Sequence, residues 1–137
     1  KRRNKGNLTM ASSDKSGILM IQRALKNSEL IGMLPDQDPG VEGGIMAPFF
    51  NTKTNTMTLL AKIAKKNDLQ VLIFWAKRLP RGEGYELNIE PVDLNINGDT
   101  LEGQVASMNQ CVETLIRKMP EQYMWSYKRF KSIHSYS

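Results

Sequence analysis

Hydrophobic residues fall along this chain in distinct periods, and each period predicts a different element. Ile18, Ile21 and Leu25 recur at helical spacing, and Ser13 or Asp14 caps a helix running through Asn27. Met57, Leu60, Ala61 and Ala64 form a second stripe and predict a helix over 55–66. That helix gathers Lys62, Lys65 and Lys66 at its C-terminal end, where the helix dipole favours cations. Val105, Met108, Val112, Leu115 and Met119 mark a third helix. Asp99 with Glu102 resembles its capping box, and Pro120 stops it and starts a short following helix.

Two apolar runs lack alternation. Residues 30–34 and 70–76 are expected to be strands covered on both faces. Tyr85, Leu87 and Ile89 instead alternate with Glu86, Asn88 and Glu90, the period of a half-exposed strand. Turn residues 79–84 make this strand the antiparallel partner of 70–76. Residues 8–11 fit a short strand, and 40–50 a glycine-rich, flexible approach to an apolar patch. The order of elements argues an α/β fold with a mixed, mainly parallel sheet flanked by helices, its last strand antiparallel.

Composition narrows this picture. A length of 137 residues suits one domain without internal repeats or a second-domain linker. A lone cysteine, Cys111, excludes a disulfide framework and a multi-cysteine zinc site; placed in a helix, it reads as an inert buried thiol. No apolar run is long enough to span a bilayer. The basic stretch 1–7 reads as a frayed end, and a chain that begins Lys1-Arg2-Arg3 reads as a fragment or a processed product. A net charge of +5 favours anionic partners: nucleic acid, phospholipid headgroups or an acidic carrier protein. A solvated lysine-rich surface gives the same charge.

Candidate chemistry concentrates where the run 30–34 meets Pro35-Asp36-Gln37-Asp38-Pro39-Gly40. Ligands of open α/β sheets bind beyond the carboxyl ends of strands. Asp36 and Asp38 fit a divalent metal bridging phosphates, as in nucleotide-sugar glycosyltransferases, or carboxylates that orient a cation or a substrate hydroxyl. They equally fit a turn in which Asp caps backbone amides. Arg78, at the end of the second apolar run, fits a phosphate, a carboxylate or a structural ion pair. On a helix, Tyr123, Tyr127 and Phe130 share a face near Lys128, Arg129 and Lys131, a membrane-interface composition that nucleic-acid stacking or simple core packing would also use. His134, the only histidine, has no neighbour to position it as a base.

Leu34-Pro35-Asp36-Gln37-Asp38-Pro39-Gly40, Ala47-Pro48-Phe49-Phe50-Asn51 with Thr54 and Thr56, and Pro120-Glu121-Gln122-Tyr123-Met124-Trp125 followed by Lys128-Arg129-Phe130-Lys131 occur in that order. Together with Arg78, Met108-Asn109, Glu113 and Ile116-Arg117, this series resembles the C-terminal part of the bacterial late acyltransferases of lipid A biosynthesis, the lauroyl/myristoyl group, from about Ser16 to Lys131.

The resemblance implies a glycerolipid-acyltransferase-like fold on the cytoplasmic face of the inner membrane. It implies acyl carrier protein thioester as donor, a lipid A precursor as acceptor, an anionic membrane surface as partner, and no metal, cofactor or nucleic acid. Such enzymes use a His-x-x-x-x-Asp/Glu motif whose His deprotonates the acceptor hydroxyl. That motif and the amino-terminal anchor are absent from the 137 residues, so the resemblance implies an inactive C-terminal fragment holding no catalytic residue. Asp36, Gln37 and Asp38 then support the active site, Arg78 contacts substrate, Phe49 and Phe50 line the acyl channel, and Tyr123, Tyr127, Lys128, Arg129 and Phe130 face the membrane. A fragment cut from a sheet exposes strand edges, which favours self-association.

Overall fold

The computed structural model describes residues 8–12 and 14–133. His134, the basic stretch 1–7 and Ser13, the alternative helix cap, lie outside the described residues. The chain divides into two compact units, Lys1–Met33 and Leu34–Ser137.

The first unit carries helix α1, Lys15–Lys26. Asp14 caps it, its carboxylate accepting the Ser16 and Gly17 amides at 2.9 and 3.1 Å. Hydroxyl donors on Ser12 and Ser16, then these amides, hold the Asp14 carboxyl well below the usual carboxylate range. Residues 8–11 form no strand.

The second unit runs β1 (Gly44–Phe49), β2 (Thr52–Met57), α2 (Leu59–Asn67), β3 (Val71–Arg78), β4 (Tyr85–Val92) and α3 (Leu101–Lys118). Each strand pairs antiparallel with its sequence neighbour, giving two two-stranded sheets among the described residues. The α/β content agrees with the expectation; the mainly parallel sheet does not.

The reason is local. The run 30–34, expected to be a buried strand, is irregular, and Leu30 is 97% exposed. A strand exists through its ladder, and no neighbour here supplies one. Conversely, residues 44–49 and 52–57 close into a tight hairpin where a flexible loop and the start of a helix were expected. Thr52, Thr54 and Thr56 place β-branched side chains at every second position, which favours a pleated strand. Helix α2 therefore begins at Leu59, four residues later than the apolar stripe suggests. Phe50, in the two-residue turn, takes φ of +46°.

Helix α3 is capped by Thr100, whose hydroxyl accepts the Gly103 amide at 3.1 Å, so the cap falls one residue beyond Asp99. Val105 and Met108 pack with Ala47, Ala61, Ala64 and Leu94. One turn further on, Val112 and Ile116 pack with Phe49, against which Phe50, Ile73, Tyr123 and Phe130 lean. After a single 3-10 turn at Pro120–Gln122, residues 123–133 proceed as successive turns and not as the expected helix. The amides of Trp125, Tyr127, Arg129, Lys131 and Ile133 donate to carbonyls two or three residues back, while the Arg129 carbonyl and the Tyr127 hydroxyl accept from Thr54 and Asp38, more than seventy residues away.

Candidate functional site

The loop 35–40 is built around Asp38. Its carboxylate accepts the Gly40 amide at 2.8 Å, the Asn55 amide group at 3.2 Å and the Ser132 hydroxyl at 2.5 Å. Lys131 Nζ stands 4.0 Å away, and the Asp38 side chain has no solvent exposure. The Asp38 backbone N–H donates to Tyr127 Oη at 2.8 Å. Burial pushes this carboxyl upward, but Ser132, Gly40, Asn55 and Lys131 together outweigh it and hold the group below the usual carboxylate range. Asn55 also donates to the Gly40 carbonyl at 2.7 Å, so one amide ties both ends of the turn to β2. Gly44 is required alongside: a Cβ there would lie 2.3 Å from Asn55 Oδ1 and 2.6 Å from the Thr56 carbonyl.

Behind Asn55 lies Arg129, only 3% exposed. Its guanidinium donates to the Asn55 carbonyl at 2.6 Å, to Thr54 Oγ1 at 3.3 Å and to Thr56 Oγ1 at 2.9 Å. Thr54 Oγ1 in turn donates to the Arg129 carbonyl at 2.8 Å. The Phe49 ring centroid is 5.1 Å from the guanidinium carbon, a cation–π contact, while Nε has no hydrogen-bond partner among the described residues. Burial pulls Arg129 below the usual guanidinium range, opposed by Tyr123, Asp38, Tyr127 and Asp36. From α3, Asn109 donates to the Pro48 carbonyl at 2.7 Å and to Thr56 Oγ1 at 3.0 Å, clamping β1 to β2. Glu113 accepts the Phe50 amide at 2.5 Å and pairs with Arg117 at 3.8 Å.

Buried charge is tolerable here because each carboxylate oxygen of Asp38 and both terminal nitrogens of Arg129 have partners. The network presents a rigid loop on which Asp36 is half-buried and Gln37 exposed. Burial and then the Asp36 charge push the Tyr123 hydroxyl up to about 12, and this buried hydroxyl has no hydrogen-bond partner among the described residues.

Two relatives decide what this loop belongs to. A lipid A biosynthesis lauroyltransferase of Escherichia coli strain K12 is 33% identical over 120 residues, and the palmitoleoyltransferase of the same strain is 36% identical over 115. The family model for bacterial lipid A biosynthesis acyltransferase matches residues 1–132. The chain belongs to that family. A lipid A biosynthesis acyltransferase of Haemophilus influenzae is 30% identical over 110 residues. These alignments cover 87%, 80% and 80% of this chain but only 39%, 36% and 34% of the relatives' own lengths.

The acyltransferase loop residues singled out from the sequence are thus divided by the structure. Asp36 and Gln37 remain accessible, whereas both oxygens of Asp38 are taken up by the protein. That removes the shared Asp36–Asp38 metal site on which a glycosyltransferase reading depends. Arg78 is exposed, and its backbone N–H donates to Gln122 Oε1 at 2.8 Å; no ion pair joins it to Asp36 or Asp38 among the described residues. Phe49 is a core residue, with Phe50 edge-on to it at 5.0 Å.

Of the residues expected to face a membrane, Arg129 is corrected outright, because its guanidinium is the hub of the buried network. Tyr127 is half-buried and bonded to the loop, and Tyr123 and Phe130 pack on the core. Lys128 is exposed, as are Met124 and Trp125. Among the described residues no helix is long and apolar enough to cross a membrane. Two surface depressions, one near Asp68, Val71 and Leu94 and one near Lys62 and Lys66, are not lined by Asp36, Gln37, Asp38 or Arg78.

The sequence pattern missed Asn55 and Ser132 as partners of the loop, and Thr54, Thr56 and Asn109 as members of the network behind it. Asn109 had a signal: it interrupts the apolar stripe between Val105 and Val112, where a polar side chain must find a buried partner.

Proposed function

We propose that this chain forms one wall of an acyl-transfer site, the C-terminal part of an enzyme that moves a fatty acyl group from acyl carrier protein to a hydroxyl of a lipid A precursor. The family match over residues 1–132, which includes the Asp36-Gln37-Asp38 loop and its buried fastening, carries this reading. In the reaction the acceptor oxygen bonds to the thioester carbonyl as its proton leaves, the C–S bond breaks, and the carrier thiol is released protonated. Asp36 and Gln37 orient the acceptor, and Asp38 positions them without touching it. Arg78 meets a phosphate or carboxylate of a substrate. The base is a histidine in a part of the enzyme outside these 137 residues. The enzyme works at the cytoplasmic face of the inner membrane, where exposed Met124, Trp125 and Lys128 meet anionic lipid.

The test compares the 137-residue chain with the product of the complete reading frame that contains it, each given acyl carrier protein thioester and lipid A precursor. The complete enzyme is expected to transfer acyl groups and the shorter chain to be inactive. Turnover by the shorter chain would place the base within it and overturn that assignment. Asp36→Ala in the complete enzyme is expected to lower kcat/KM by about tenfold or more. Unchanged kcat and KM would remove Asp36 from the site.

A further inference from the structure

The β3–β4 hairpin carries apolar side chains on both faces, and only one of them is covered. Its register sets Phe74 opposite Ile89 and Ala76 opposite Leu87, with Leu72 and Tyr85 on the same face, since residues two apart share a side. Leu72, Phe74, Tyr85, Leu87 and Ile89 are each between 51% and 66% exposed. The opposite face carries Val71, Ile73, Trp75 and Val92 beside Glu86, Asn88 and Glu90, and it is the one turned toward α3: Lys118 pairs with Glu90 at 3.9 Å and lies 5.5 Å from the Trp75 ring centroid. Val71, Ile73 and Val92 of that face reach the core.

The exposed apolar side chains amount to roughly 600 Å², at the upper limit of what a monomer leaves bare. Three occupants compete: a second copy, a lipid surface and more of the same polypeptide. Pairing two such faces would bury less than the ~800 Å² per partner of a standard stable interface, and association also costs translational and rotational freedom. Packing within one polypeptide avoids that cost. The face carries one cation, Arg78, too little charge for an anionic membrane. The relatives extend well beyond the aligned region, which is 39% of one and 36% of another. The sequence of β3, apolar at successive positions from Val71 to Ala76, is that of a strand covered on both sides.

We infer that this face is an internal seam of the acyltransferase, covered by the apolar stripe of a helix from the part of the enzyme outside these 137 residues. The inference rests on the preceding reading only in taking the chain to be part of a longer enzyme.

Leu87→Cys tests it, with Lys53→Cys as an exposed control on β2, both in a background where Cys111 and any other native cysteine is serine. Each is made in the 137-residue chain and in the product of the complete reading frame, and labelled with a water-soluble maleimide. At position 87 the complete enzyme is expected to react at least tenfold more slowly than the short chain, with position 53 within twofold. Equal rates at position 87 would overturn the seam. So would protection in the short chain that rises with its concentration, which marks a second copy, or that appears on adding anionic vesicles, which marks a lipid surface. A reading frame ending at these 137 residues would also overturn it. Labelling needs no turnover, so protection in an enzyme without acyl transfer would sink the functional reading and leave the seam standing.

Discussion

The β1–β2 hairpin buries Thr54, Asn55 and Thr56 at consecutive positions, while the β3–β4 hairpin leaves Phe74, Leu87 and Ile89 in solvent. Each departs from the usual distribution, the first by burying polar groups and the second by leaving one apolar face bare, and with opposite energetic standing. The buried polar groups of the first are hydrogen-bonded, so each contributes about 0.5–1.5 kcal/mol where an unpaired one would cost about 1–3 kcal/mol. The exposed apolar groups of the second leave on the order of 10 kcal/mol of burial unrealised at ~25 cal/mol per Å². One hairpin is complete as it stands, and the other is waiting for a surface. The completed one fastens the candidate site.

The largest effect expected from disturbing this contrast is at Arg129. Arg129→Ala strips donors from Asn55 O, Thr54 and Thr56 and leaves Asp38 without a buried countercharge. It should lower stability by about 3 kcal/mol or more in urea denaturation. A loss under about 1 kcal/mol would show that the network is ornamental.

Next comes Asp38→Asn, expected to cost about 2 kcal/mol at pH 7 through weakened charge-assisted bonds. The Asp38 carboxyl lies below its ordinary value of 3.8 in the folded chain, so its contribution is full above that value and is lost as the pH falls through the folded value. The gap between wild type and Asp38→Asn should therefore close in acid, and urea midpoints measured from pH 7 downward check this. A constant gap would mean that the charge is irrelevant.

The smallest effect sharpens the other side. Phe74→Ser in the 137-residue chain should change stability by no more than about 0.5 kcal/mol, as at an exposed site. The same change in the complete enzyme should cost about 2 kcal/mol or more. A comparable loss in both would mean that Phe74 is already buried in the short chain.

What the sequence disclosed depended on how far apart the interacting residues lie. Helices α1 and α3 and the β3–β4 hairpin were readable because caps, stripes and turns are local signals. Residues 30–34 were misread because an apolar run states only that burial is wanted, and a strand also needs a neighbour for its ladder. The polar hairpin 44–57 was missed because Asn55 and Thr56 look like helix starters when their partner Arg129 is out of view. Asp36-Gln37-Asp38 was legible as a site, but the division of labour within it was not. Nothing in the local sequence separates the carboxylate that faces outward from the one bonded to Ser132, ninety-four positions away.

That separation sets an order of assembly. Loop 35–40 is synthesised before the residues that fasten it, since Tyr127 and Ser132 follow Asp38 by 89 and 94 positions. Contacts this distant in sequence form only after the intervening chain has been brought to heel, which places them late in folding. Until then Asp38 has no fastening and the loop no fixed shape. The site is therefore finished by residues 127–132, and a nascent chain that stops short of them would carry the acidic loop without its geometry.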